Sequence, residues 1–215
     1  MTGRPARTGA TRRKLFDATL RLAGTRGMVG LTVDEIAAEA GVAKGTVYYN
    51  FGSKDGLIDA LLRFGVDLLA DHLRSADEAV DAADALSRMV DGMLVFFAEY
   101  PTFAQLLVSE LWRTPGQWQQ TLTLLREQVT TIIRAQLSRL ADAGQLPDGV
   151  RVTTAASALF GTVLVVALDW QVFAPEQTRE EVRDAVLALV RGLRSGAVQE
   201  ERRQEGADCA YRQGE

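Results

Sequence analysis

The sequence predicts an all-α chain, and three observations carry that reading. Apolar residues recur at three- and four-residue steps through most of the 215 residues, the period of a helix with one buried face. Prolines number only five, so few positions break the pattern. No period-2 alternation runs long enough to require a sheet. With 47% hydrophobic residues, the composition is that of a folded body with a sizeable core.

Residues 1–10, rich in Arg, Gly, Thr and Pro, read as a flexible basic arm. A helix starts at Thr11, with Leu15, Ala18, Thr19, Leu22 and Ala23 on one face, and Gly24, Gly27 and Gly30 end it. Thr32-Val-Asp-Glu35 is a capping box, in which Thr32 accepts from the third helical N–H and Glu35 reaches back. It opens a short helix with Ile36, Ala37 and Ala40 inward. Gly41 stops that helix, since a left-handed backbone costs glycine nothing. The next short helix runs from Val42 to about Asn50, with Val47 and Phe51 inward and Lys44, Thr46, Tyr49 and Asn50 outward. Ser53 or Asp55 caps a helix carrying Leu57, Ile58, Leu61, Leu62, Phe64 and Leu68.

Beyond Ala70 the chain turns acidic, and then a helix carries Leu86, Met89, Val90, Met93, Phe96, Phe97 and Tyr100. Pro101 begins another, with Phe103, Leu106, Leu107, Glu110 and Leu111. Thr114-Pro-Gly-Gln117 is a second capping box with Pro at the first helical position. It opens a long helix from Leu122 to Leu140 that Ala143-Gly144 ends; 146–149 is a loop. From Val150 to Phe173 the chain is apolar nearly all round, which predicts a helix buried on most sides. Thr178 caps the last helix, whose face is Val182, Val186, Leu189, Val190 and Leu193. From Ser195 onward the composition is that of a disordered tail.

Charge and rare residues narrow the function. Net charge is −4, yet residues 1–30 hold seven basic side chains against Asp17 alone, a local +6 that leaves −10 for the remainder. Such asymmetry points to a basic end that meets an anion and an acidic body that does not. With one His (His72) and one Cys (Cys209), no His/Cys metal cluster and no Cys-His or Ser-His-Asp pairing is expected, so neither metal, cofactor nor enzyme activity is. The longest apolar run, Leu159 to Leu168, is broken by Gly161 and Thr162 and falls short of the ~20 residues a membrane span needs. The lone thiol and the absence of an apolar N-terminal region fit the cytoplasm.

Two short helices joined by a brief turn containing Gly41 form a helix-turn-helix. The segment from about Arg12 to Leu62 resembles the DNA-binding domain of TetR-type transcriptional regulators. The residues that carry the resemblance are LTVDEIAAEAGVAKGTVYYNFGSKDGLIDAL, above all GT-hydrophobe-Y-x-x-F-x-S-K after the helix-turn-helix. It covers roughly a quarter of the chain. Ala43 departs from the Ser or Thr common in the family, a lost N-cap hydroxyl typically worth ~1 kcal/mol.

The resemblance implies an N-terminal three-helix DNA-binding domain at 11–56. A larger helical effector-binding and dimerisation domain follows at 57–194, between the arm at 1–10 and the tail at 195–215. It implies a ligand-responsive homodimer on a palindromic operator in double-stranded DNA, a repressor released by a small, largely apolar effector. In a helix-turn-helix the second helix enters the major groove. The candidate DNA contacts are Thr32, Lys44, Gly45, Thr46, Tyr48, Tyr49, Asn50 and Lys54. Phosphate contacts position such a protein and base contacts specify the sequence. Ala155, Ala158, Leu159, Thr162, Val166, Val186, Leu189, Val190 and Leu193 are expected at the dimer interface. Met93, Phe96, Phe97, Tyr100, Phe103, Leu107, Glu110, Trp112, Trp118, Leu122 and Trp170 are expected to line an effector pocket; aromatic residues at helical spacing are also what an ordinary core contains. The alternative is a helical small-molecule-binding or protein-interaction module that keeps the helix-turn-helix as scaffold, which leaves the charge split unexplained.

Overall fold

The structure, a computed structural model, describes the backbone of residues 4–27, 30–74, 81–111, 119–146 and 149–190, and their side chains except 4–8, 109–111 and 119. Trp112, Trp118, Leu193, Cys209, the Thr114 capping box and the tail lie outside these described parts. The described residues are all-helical: α1 (Arg4–Arg26), α2 (Val33–Glu39), α3 (Lys44–Phe51), α4 (Lys54–Arg74), α5 (Ala82–Glu99), α6 (Pro101–Leu111), α7 (Gln119–Asp142), α8 (Val152–Phe173) and a last helix, α9, over 179–190.

Helix α1 begins at Arg4 and not at Thr11, where the apolar pattern starts. Pro5 falls in the first turn, where a missing N–H costs nothing because that donor has no intrahelical partner. The helix passes through Gly24 and stops at Gly27.

The chain forms two compact units, Met1–Leu68 with Glu99–Glu127, and Leu69–Ala98 with Gln128–Glu215. In the first, Leu15, Phe16, Ala18, Leu31, Ile36, Val47, Leu57, Ile58, Leu61 and Leu62 are buried. The Phe16 ring lies 5.6 Å from Phe51 and 5.2 Å from Phe64, so one side chain of α1 touches both α3 and α4. Helix α6 docks on the same bundle, with Thr102 against Gly24 and the buried Phe103 ring against Gly65.

In the second unit Leu69, Leu73, Leu86, Met89, Val90, Met93, Phe96, Phe97, Ile133, Leu137, Phe160, Val163, Val182 and Val186 are buried. Pro101 has no N–H to give the Phe97 carbonyl one turn before it. The Gln171 side-chain amide of α8 donates to that carbonyl instead (3.1 Å). Arg179 of α9 pairs with Asp91 of α5 at 2.9 Å. The Thr178 capping box forms as expected, Glu181 N–H donating to Thr178 Oγ1 at 3.2 Å and Thr178 N–H to Glu181 at 2.8 Å.

Helix α8 departs from expectation. It buries Ala156, Leu159, Phe160, Val163, Leu164 and Ala167, while among the described residues nothing covers the opposite apolar face. Val165 and Val172 are each 59% exposed and Phe173 78%. At 22 residues α8 is also the one described helix long and apolar enough to cross a membrane by composition, with 33% of its most apolar stretch buried. An uninterrupted apolar run underestimates it, because Gly161 and Thr162 do not end a helix.

Gly65 tests the packing of the first unit. A Cβ there would sit 2.3 Å from the Phe103 ring, which is too confined to turn away. Gly65→Ala should lower the unfolding free energy by about 1–3 kcal/mol despite alanine's better helix propensity. The urea midpoint measures it; an unchanged or higher midpoint would contradict this packing.

Candidate nucleic-acid interface

Two short helices must have their ends satisfied to persist, and this sequence supplies most of the partners. Thr32 Oγ1 accepts from Glu35 N–H at 3.2 Å, and the Glu35 carboxylate accepts from Thr32 N–H at 3.0 Å, so the predicted capping box is formed. Arg26 reaches the same carboxylate at 2.9 Å. At the other end of α2, Gly41 has φ +65, Gly41 N–H donates to Ala38 and Val42 N–H to Ala37 at 2.9 Å. That bond pattern is a Schellman stop, and it sets the angle between α2 and α3. Helix α3 starts at Lys44, not Val42, with Ala43 as N-cap and no side-chain cap, as its missing hydroxyl predicts. Ser53, not Asp55, caps α4 by accepting from Gly56 N–H at 3.0 Å.

Helix α3 is fixed by one buried side chain, Val47, and by Phe51, half-buried on Phe16 with the Arg12 guanidinium 5.1 Å above its ring. The rest faces out. Lys44 and Gly45 are exposed, Thr46 and Asn50 half-buried, and Tyr48 and Tyr49 are 46% and 81% exposed. Two adjacent aromatic rings therefore stand on the solvent side of α3.

Several polar groups of this surface already have partners. Lys44 Nζ pairs with Asp34 at 2.8 Å. Asn50 Nδ2 donates to the Thr46 carbonyl at 2.8 Å, which turns its amide along its own helix. Lys54 Nζ donates to the Leu31 carbonyl at 2.9 Å, tying the first residue of α4 to the entry of α2. Thr32 carries the cap. The sequence reading treated these four as DNA contacts; the structure adds an internal task for each. Arg21 pairs with Glu39 and Arg26 with Glu35, bracing α1 on α2. These tertiary pairs were missed because they join residues on different helices, where no periodic spacing reveals them.

The other predicted sites fare unevenly. Of the expected interface residues, Leu159 and Val186 are buried within the single chain. Ala158 is exposed, Leu189 is 64% exposed, and Ala155, Thr162, Val166 and Val190 are half-buried. Ala158, Val165 and Val172 recur at heptad steps along the uncovered face; the last two were not foreseen. Of the expected pocket residues, Tyr100, Phe103, Leu107, Glu110 and Leu122 fall in the first unit and Met93, Phe96, Phe97 and Trp170 in the second. Met93, Phe96, Phe97, Phe103, Leu107 and Leu122 are buried, and the Trp170 N–H donates to the Gln177 carbonyl at 2.9 Å. An unforeseen open groove of about 730 Å³ lies between α1 and α4, lined by Arg12, Arg13, Phe16, Asp59, Arg63 and Phe64 among others.

A helix-turn-helix with an outward aromatic second helix, followed by a helical body, defines a transcriptional regulator that works on DNA. Residues 15–61 match the family described as bacterial regulatory proteins, tetR family. The chain is 32% identical over 166 residues to the HTH-type transcriptional regulator BetI of Brucella suis biovar 1, covering 68% of this chain and 81% of that one. It belongs to the tetR family. Its fold is shared by FadR of Bacillus subtilis solved with stearoyl-CoA (TM-score 0.73, 21% identity, 83% of this chain and 96% of that one). AibR, solved with isovaleryl coenzyme A and operator DNA, is similar too (TM-score 0.69, 20% identity, 84% and 97%).

Two measurements probe this surface. The hydrogen bonds of Thr32 hold the Glu35 carboxyl below its ordinary value of 4.5. Its contribution to stability is therefore complete above that value and is lost as pH falls through the lower folded value. Glu35→Gln, which can still cap α2, should flatten the acid limb of melting temperature against pH; an identical limb would show that the carboxylate is not held this way. A Cβ on Gly45 would meet nothing within 4 Å in the free protein. Gly45→Ala should raise stability by about 0.5–1 kcal/mol while weakening binding to duplex DNA, because the added methyl stands where a DNA backbone would approach. Unweakened binding would place the DNA elsewhere.

Proposed function

We propose that this tetR-family regulator is a homodimer that grips a palindromic operator and is released from it by a small, largely apolar effector. The simplest arrangement is a repressor. Residues 11–56 would read the DNA and 57–194 would bind the effector and the second copy. The observation that carries this reading is the outward surface of α3, where Tyr49 is 81% exposed beside Lys44, Thr46 and Tyr48. Two such helices ~34 Å apart read half-sites one DNA turn apart.

The uncovered faces of α8 and α9 support a dimer, because exposed apolar patches of this kind mark association surfaces. A membrane-spanning α8 is not favoured, since a regulator of this kind works where the chromosome is, in the cytoplasm. FadR and AibR, each solved with an acyl coenzyme A, support an effector that presents an apolar acyl group. Release needs an effector that prefers the conformation unfit for DNA. Helix α4 is a fit carrier of such a shift, since Lys54 links it to the carbonyl just before the α2 cap.

Selection of duplexes from a random pool, with sequencing of those retained, tests the reading. A palindrome with half-sites one helical turn apart is the expected product. Val165→Glu should convert the protein to a monomer by light scattering and weaken binding to that palindrome about 100-fold or more, the avidity of a linked second site. Enrichment of nothing would sink the DNA-binding reading; an unchanged mass for the variant would sink this dimer.

A further inference from the structure

We infer that Asp34 is a specificity-setting residue of the DNA interface, which acts by holding the Lys44 ammonium. The inference rests on the DNA-binding reading above. Helix α2 offers three carboxylates to three cations. Glu39 and Glu35 pair with Arg21 and Arg26 of α1 and so serve the bundle. The third pair differs in place and in consequence. Lys44 is the first residue of α3 and Asp34 stands in the first turn of α2, with side chains 51% and 65% exposed at a separation of 2.8 Å.

A pair this exposed adds little to stability, because water screens it and two flexible side chains are immobilised. Its effect falls on the lysine. A free lysine at the start of a recognition helix is a mobile point charge that any phosphate satisfies. Held by Asp34, Lys44 keeps one direction, and a phosphate that takes it must first break a charge-assisted hydrogen bond. The side-chain bond to Asp34 also raises the Lys44 pKa. The cost of breaking that bond penalises sequence-independent binding, while a cognate site that contacts Lys44 in its held direction loses less.

Affinity for two duplexes across a salt series tests this: one enriched by selection, the other a 30-bp random-sequence mixture. Asp34→Asn should tighten the random duplex about fivefold or more, steepen the fall of log K with log[salt] by up to about 0.9, the step for one further neutralised phosphate, and cut the discrimination ratio severalfold. Asp34→Glu, which keeps the carboxylate, should restore most of that ratio. In a Lys44→Gln background, Asp34→Asn should leave the ratio unchanged. Wild-type affinities and slope for Asp34→Asn would overturn the inference. So would an equal effect in the Lys44→Gln background, which would mean that Asp34 acts on phosphate without the lysine. A wild-type protein that prefers neither duplex would overturn the DNA-binding reading itself, and the inference with it.

Discussion

Helices of seven and eight residues do not persist by themselves in water, because the first turn costs more than so few hydrogen bonds return. The whole interface depends on meeting that constraint. Helix α2 does so with a reciprocal cap at Thr32 and Glu35 and a left-handed stop at Gly41. Helix α3 lacks a cap and buries only Val47 fully. It is held by its neighbours: the Schellman turn before it, Phe16 beneath Phe51, and the Ser53 cap that starts α4. Because so little of α3 is consumed by packing, nearly its whole outer surface stays available.

The charge pattern is finer than the split between a basic end and an acidic body. Helix α2 neutralises Arg21, Arg26 and Lys44 one by one. Arg12 and Arg13 are treated differently, each lying over an aromatic ring, Phe51 and Phe64, at 5.1 and 5.8 Å. A guanidinium on a ring keeps its full charge and a fixed position. Positive charge near α3 is thereby ordered by two different means, carboxylate pairing and ring stacking.

The sequence was most legible where the physics is local. Thr32 with Glu35, Thr178 with Glu181, Gly41, and the inward Val47 are all set by neighbours within four residues, so reading them required no tertiary knowledge. Legibility failed where geometry between helices decides. Lys54 on the Leu31 carbonyl and Lys44 on Asp34 depend on the angle that Gly41 imposes. The apolar character of α8 was plain, but which face the chain itself covers was not. One step along the helix, about 100° around its axis, separates buried Leu159 from exposed Ala158. The start of α1 was hidden by Pro5, a breaker in most positions and harmless in a first turn.

The bare face of α8 has a consequence for dosage. In the proposed homodimer Val165, Val172 and Phe173, exposed among the described residues, are covered only when a second copy arrives. For a homodimer of this kind, mass action makes the DNA-competent form rise with the square of chain concentration while single copies predominate. Operator occupancy at low expression then answers to changes in synthesis more sharply than in proportion. The threshold of such a response lies in a helix far along the chain from the one proposed to read the DNA.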